Sequence, residues 1–154
     1  MGKRVPRSSQ IPVPPGPMLV VGDIMAVAYQ TRDVNMPPAG FDLFDIATPE
    51  SPRLITHFDA SGPHSRGVHC LWFVDGEYVH MASGAADFTP THPNDDQFYR
   101  IIDVRHPSQP EEVGRWWYPG TREGDSATPP VRMPAQFDTG FRVHNVNVFP
   151  ERPQ

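Results

Sequence analysis

The stretch RIIDVRHPSQPEEVGRWW, residues 100–117, decides the fold. An apolar run ends at Asp103, prolines follow at positions 107 and 110, and the apolar pattern resumes at Val113. Two prolines three residues apart exclude a helix interior, because each lacks a backbone N–H and fixes its φ angle. Pro107 presets φ for the second residue of a tight turn, and Pro110 begins a strand where no ladder donor is needed. The stretch therefore predicts a strand, a turn and a second strand.

The same pattern occurs earlier in the chain. The segment FDLFDIATPESPRLITHF, residues 41–58, aligns without a gap with residues 99–116. The alignment pairs Asp45 with Asp103, both prolines with both prolines, and apolar with apolar positions. Two unrelated hairpins would rarely match over so long a stretch, so we interpret the segments as copies of one internal repeat. A structural turn role is expected for the two aspartates, because a single catalytic site needs no acid in every copy.

The repeat extends upstream and begins a third time. Residues 20–30 match residues 74–84, and the second of these contains Asp75-Gly76, a strong hairpin signal. Residues 142–151 match residues 67–76. Each copy then contains four short antiparallel strands with a period near 60 residues, as a propeller blade requires. The predicted fold is all-β, with antiparallel propeller-like blades: about two blades and the start of a third.

This repeat divides the chain into five segments. They are a flexible Pro-rich lead-in (1–16), a first blade (17–60), a second blade (61–118), a loop (119–140) and the start of a third repeat (141–154). Residues 142–154 are expected to form a strand whose own blade is missing. Unpaired blades leave exposed edges, so we expect marginal folding or self-association through those edges, with the C-terminal segment the least ordered repeat element.

The composition limits the classes of protein and partner. Twenty prolines and 12 glycines disfavour long helices, and a net charge of −5 gives no electrostatic reason to propose nucleic acid as a partner. The single cysteine, Cys70, excludes an internal disulfide. No apolar run is long enough for a transmembrane helix, and none follows Lys3, Arg4 and Arg7, so the N-terminus is not a signal peptide as written.

The pattern resembles the LVIVD repeat family. That family has an apolar strand ending in Ile-x-Asp-Val, then x-x-Pro-x-x-Pro and another strand, as in IIDVRHPSQPEEVGRWW. The resemblance covers residues 18–149. It implies a β-propeller, found mainly in bacteria and archaea and often exported, whose biochemical role is generally not established. Two blades and a fragment cannot close a ring of about 4–8 blades, so the resemblance also implies that this chain is part of a longer protein.

Two histidines are candidate metal ligands. His69 and His144 stand at matching places in successive repeats, on the strand that lines the channel of a propeller. Neutral imidazole binds zinc, copper or iron, and by analogy propeller oxygenases hold iron with histidines from several blades. The first repeat departs from the pattern, with Pro15 at the corresponding place. The alternative is that both rings form hydrogen bonds to the backbone and serve packing.

Two arginines are candidate ligand-binding residues. Arg66 and Arg142 lie shortly before the two histidines, where their guanidinium groups could hold an anionic ligand at the channel mouth. The alternative is a surface ion pair for each.

The sequence therefore predicts a binding or scaffolding module for a protein or small molecule, and the alternative is a metal-dependent oxidoreductase. The variable face would be formed by loops 31–40, 60–66, 85–97 and 119–140.

Overall fold

The computed structural model describes residues 16–149, and this part of the chain is all-β. The first sheet contains β1 (Met18–Val21), β2 (Ile24–Tyr29), β3 (Gly40–Asp45) and β4 (Arg53–Asp59), in that order. A two-residue pair follows, β5 (Ser61–Gly62) and β6 (Ser65–Arg66). The second sheet contains β7 (Val68–Trp72), β8 (Tyr78–Ser83), β9 (Phe98–Asp103) and β10 (Glu111–Trp116), again in chain order. All strand pairs are antiparallel, which confirms the predicted fold class.

Helical structure is scarce in the described residues. Between residues 16 and 149 the helical element is a 3-10 turn at Pro93–Asp95. No helix in this range has the length and apolar character needed to cross a membrane.

The double-proline turn has the predicted geometry. The backbone N–H of Gln109 donates to the carbonyl of His106 at 2.8 Å, which makes Pro107 the second residue of the turn. Asp103 ends β9, and its Oδ1 accepts the backbone N–H of Arg105 at 2.9 Å. The first sheet has the corresponding bonds, from Ser51 N to Thr48 O at 2.9 Å and from Ala47 N to Asp45 Oδ1 at 3.0 Å. Both aspartates therefore stabilise turns.

The core lies between the two four-stranded sheets. Side chains alternate between the faces of a strand, so each sheet contributes every second residue to this layer. Its fully buried members are Ala26, Ala28, Phe41 and Leu43 from the first sheet, and Val68, Val79, Met81 and Ile102 from the second. Burial of these side chains is the main stabilisation of the two-sheet unit.

The other face of the first sheet leaves apolar side chains in solvent. Val20, Met25, Phe44 and Leu54 form a row of facing residues across the four strands. Val20 and Leu54 are 52% and 53% exposed. Contiguous exposed apolar surface of this kind favours association.

A close backbone approach joins the two sheets near the candidate site. Gly67 forms an isolated antiparallel bridge with Gln30, at the end of β2. Gly67 has a φ of +90°, and a Cβ on it would lie 2.5 Å from the carbonyl oxygen of Tyr29. Only glycine fits such a position. The bridge brings Gln30 beside His69, two residues after Gly67.

The C-terminal part of the described chain differs from the prediction. Residues 142–149 form no strand, and residues 150–154 lie outside the described range, as do residues 1–15 of the predicted lead-in. A strand requires a continuous ladder to a neighbour. Here the backbone has only isolated bonds, such as Val143 N to Gln97 O at 3.1 Å. Val146 is nevertheless buried, and the indole N–H of Trp72 donates to Val148 O, so the segment packs on the second sheet.

The long loop before this segment is held by ion pairs. Arg132 donates to Asp95 at 2.7 Å and to Asp138 at 2.5 Å, and the Asp95 side chain is fully buried. Asp95 also accepts the backbone N–H of Phe141 at 2.8 Å. These bonds fix the direction in which the chain enters residues 142–149.

Candidate ligand-binding cleft

Three of the four predicted loops meet at one cleft of about 400 Å³. The loops are 31–40, 60–66 and 85–97, and Arg142 completes the wall. Its lining side chains include Val34, His64, Arg66, Asn94, Asp96 and Arg142. The two candidate arginines are therefore brought into the same cleft, although 76 residues separate them in the chain.

A buried carboxylate pairs with both arginines. Arg66 donates from Nε and Nη2 to Asp96 Oδ2 at 3.0 and 2.8 Å. Arg142 donates from Nη1 to Asp96 Oδ1 at 3.1 Å. The Asp96 side chain is only 7% exposed, whereas the arginine side chains are 31% and 33% exposed. The ion pair that the sequence offered as the alternative is thus present, and both arginines share one partner.

This arrangement leaves positive charge and free donors in the cleft. Two guanidinium groups and one carboxylate sum to a charge of +1, in a chain whose net charge is −5. Nη1 of Arg66 and Nε and Nη2 of Arg142 have no hydrogen-bond partner among residues 16–149. The cleft can therefore interact with an additional acceptor without breaking its own ion pairs.

The two candidate histidines touch one another close to the cleft. The ring centroids of His69 and His144 are 4.5 Å apart, with the rings nearly perpendicular. His69 Nδ1 lies 2.9 Å from Gln30 Oε1, and His144 Nδ1 lies 2.9 Å from Asn145 Oδ1. An amide oxygen only accepts, so Nδ1 is the donor in both contacts, and Nε2 of each ring has no hydrogen-bond partner among residues 16–149. Both Nδ1 atoms therefore bond to side chains, and not to the backbone as the alternative interpretation expected.

Burial and nearby cations keep His69 neutral. Burial is the main cause that lowers the pKa of His69, and the positive charges of Arg142 and Arg66 act in the same direction. A neutral imidazole is the form that binds a metal. Among residues 16–149, however, no group of three or more His, Cys, Asp or Glu side chains is placed to hold a metal ion. The structure brings the two histidine rings into contact, and the metal site itself stays a prediction.

Sequence reasoning did not identify Asp96 or Gln30 as members of this cluster. The doublet Asp95-Asp96 was visible in loop 85–97, but its partners lie 30 or more residues away in the chain. Gln30 carries no sequence signal, because its role depends on the bridge to Gly67.

A second polar cluster lies on the outer face of the first sheet. His57 Nδ1 and Asp42 Oδ1 are 2.6 Å apart, and Asp42 raises the pKa of His57. Burial, followed by Asp42, raises the pKa of Tyr29 to about 12. This cluster is separate from the cleft and bears on stability.

No protein-family model, curated protein or solved structure matches this chain.

Proposed function

We propose that the chain is a binding or scaffolding module of the LVIVD type, and that the loop cleft is its ligand site. One observation carries the proposal: loops 31–40, 60–66 and 85–97 converge on a single cleft of about 400 Å³. That volume is within the range of small-molecule sites.

The frame around the cleft supports this function. The loops are attached to two four-stranded sheets whose strands share a fully buried core. Loops on such a frame can vary in sequence without loss of the fold, which is why binding residues concentrate in them. The cleft residues Arg66 and Asp96 are fixed by their ion pair, so the site is largely formed before a ligand arrives.

A steric plug tests the proposal. Val34 lines the cleft and is 45% exposed, so Val34→Trp should fill the opening without disturbing the core. Val113 on β10 is 53% exposed, and Val113→Trp is the matched control. A thermal-shift screen of the full chain would use a defined panel of organic acids, phosphates, sugars and amines. We expect a ligand-induced rise in Tm that Val34→Trp removes and Val113→Trp keeps; an undiminished rise in Val34→Trp would contradict the proposal.

The contact between His69 and His144 favours a second candidate, a metal-dependent oxidoreductase that uses iron, copper or zinc. Two imidazole rings 4.5 Å apart, each with no hydrogen-bond partner for Nε2 among residues 16–149, supply part of a ligand set. Metal analysis of the purified chain tests it. Near-stoichiometric metal, lost in the His69→Ala, His144→Ala double variant, supports the candidate. Substoichiometric metal that the double variant leaves unchanged removes it.

A further inference from the structure

We infer that the cleft recognises an oxyanion, a carboxylate or phosphate group, through the guanidinium donors of Arg66 and Arg142 that point away from Asp96. The inference rests on the proposed function, because it names the chemical class of the ligand that the cleft would bind.

The cluster of Arg66, Arg142 and Asp96 carries a net positive charge. Asp96 neutralises one of the two guanidinium groups, so the cluster keeps a charge of +1. The chain as a whole carries −5, so the positive charge of these three residues contrasts with the net charge of the chain. An anion that enters the cleft completes the neutralisation, and a neutral or cationic ligand does not.

Arg66 and Arg142 use different donors of their guanidinium groups to bind Asp96. Arg66 binds Asp96 through Nε and Nη2, the edge of the guanidinium group that presents two parallel N–H bonds. Arg142 binds the same carboxylate through Nη1 alone, so its own Nε and Nη2 edge has no partner among residues 16–149. That free edge has the geometry to bind two oxygens of a carboxylate or a phosphate, whereas both Arg66 donors converge on one oxygen, Asp96 Oδ2.

Asp96 also holds the two arginine side chains in position before an anion binds. Asp96 is 5% exposed and holds both side chains in place, so binding an anion requires little further ordering of either arginine. Each arginine side chain is still about one third exposed, and both line the cleft. The cleft therefore holds two arginines in fixed positions and is open to a ligand from solvent.

The experiment is a calorimetric titration of the full chain with inorganic phosphate and, separately, with succinate. Arg142→Gln removes the free edge and should weaken binding by about 10- to 150-fold, the range for a hydrogen-bonded charged partner. Arg142→Lys keeps the charge and loses the paired donors, so it should also weaken binding, by about tenfold. Arg53→Gln removes an equal charge from an exposed pair with Asp45 and is the control, with less than a twofold change expected.

The two titrations separate the sources of the oxyanion. Binding of phosphate alone assigns the cleft to phosphorylated ligands, and binding of succinate alone assigns it to carboxylates. Arg142→Lys guards against misfolding, because it preserves the ion pair with Asp96. The inference is overturned if neither anion binds at millimolar concentration, or if Arg142→Gln and Arg142→Lys bind as tightly as the unmodified chain. If a sugar or an amine binds, and if Val34→Trp prevents that binding while Arg142→Gln does not, the oxyanion inference is wrong. The proposal that the chain is a binding module would still hold.

Discussion

Arg100 is the buried charge at the contact between the two sheets, and its replacement gives a quantitative prediction. The residue is 4% exposed and donates to Glu112 from Nη2 at 2.6 Å and to the Gly84 carbonyl at 2.8 Å. Its guanidinium carbon lies 5.4 Å from the ring centre of Phe58, on the other sheet. Arg100→Ala therefore removes an ion pair, a hydrogen bond and a contact across the core at once.

The expected cost follows from the partners left behind. Breaking a buried ion pair on one side costs about 3–5 kcal/mol, because the remaining charge loses its compensation. Glu112 keeps a second partner, Arg115 Nε at 2.6 Å, which places the cost near the lower end, at about 3 kcal/mol. That is a large part of the roughly 5–15 kcal/mol by which domains are stable.

Urea unfolding followed by tryptophan fluorescence measures the effect, since the chain has three tryptophans. The control is Arg105→Ala, whose ion pair with Asp103 is on the surface and should contribute little to the free energy of unfolding. A loss of unfolding free energy in Arg100→Ala no larger than that in Arg105→Ala would refute the reasoning that Arg100 links the sheets.

The remaining predictions concern pH and association. Asp42 raises the pKa of His57, so the pair of Asp42 with protonated His57 stabilises the folded state. This contribution to the free energy of unfolding is fully present below pH 6.5 and is lost as the pH rises through the raised pKa. The loss of unfolding free energy in His57→Gln should therefore shrink above pH 6.5; a pH-independent loss contradicts this. Burial lowers the pKa of His69, so stability should fall as the pH drops below 6.5, and His69→Asn should flatten that fall in urea titrations. The exposed apolar side chains predict that the chain self-associates and that Leu54→Lys reduces this association. Light scattering that finds the unmodified chain to be a monodisperse monomer would contradict the prediction. Amide exchange should be fast over 142–149, which lacks a ladder, and strong protection there would show two self-sufficient blades.

Local signals made the strands and turns predictable. Pro107 and Asp103 act on their own neighbours, so their roles could be inferred from sequence and are seen in the bonds around residues 103–109. The same holds for the hairpin at Asp75-Gly76, where Asp75 Oδ1 accepts the backbone N–H of Glu77 at 2.8 Å. The family resemblance to LVIVD repeats stays a prediction.

The site was predicted only in part. Sequence matching pointed to Arg66, Arg142 and the two histidines, because they recur near equivalent places in the repeat. It could not supply Asp96, whose pairing is set by how loop 85–97 packs against a segment 46 residues further along. The strand expected after residue 141 failed for a related reason, since pairing depends on neighbours that the segment itself does not encode.

The proposed cleft is tested most directly by mapping backbone amides in NMR during titration of the full chain with inorganic phosphate. The account predicts saturable shifts at residues 63–66, 92–97 and 142–145, which surround Arg66, Asp96 and Arg142. It predicts no saturable change at the double-proline turns, 46–52 and 104–110. Shifts spread over the whole surface, or concentrated at those turns, would contradict the account.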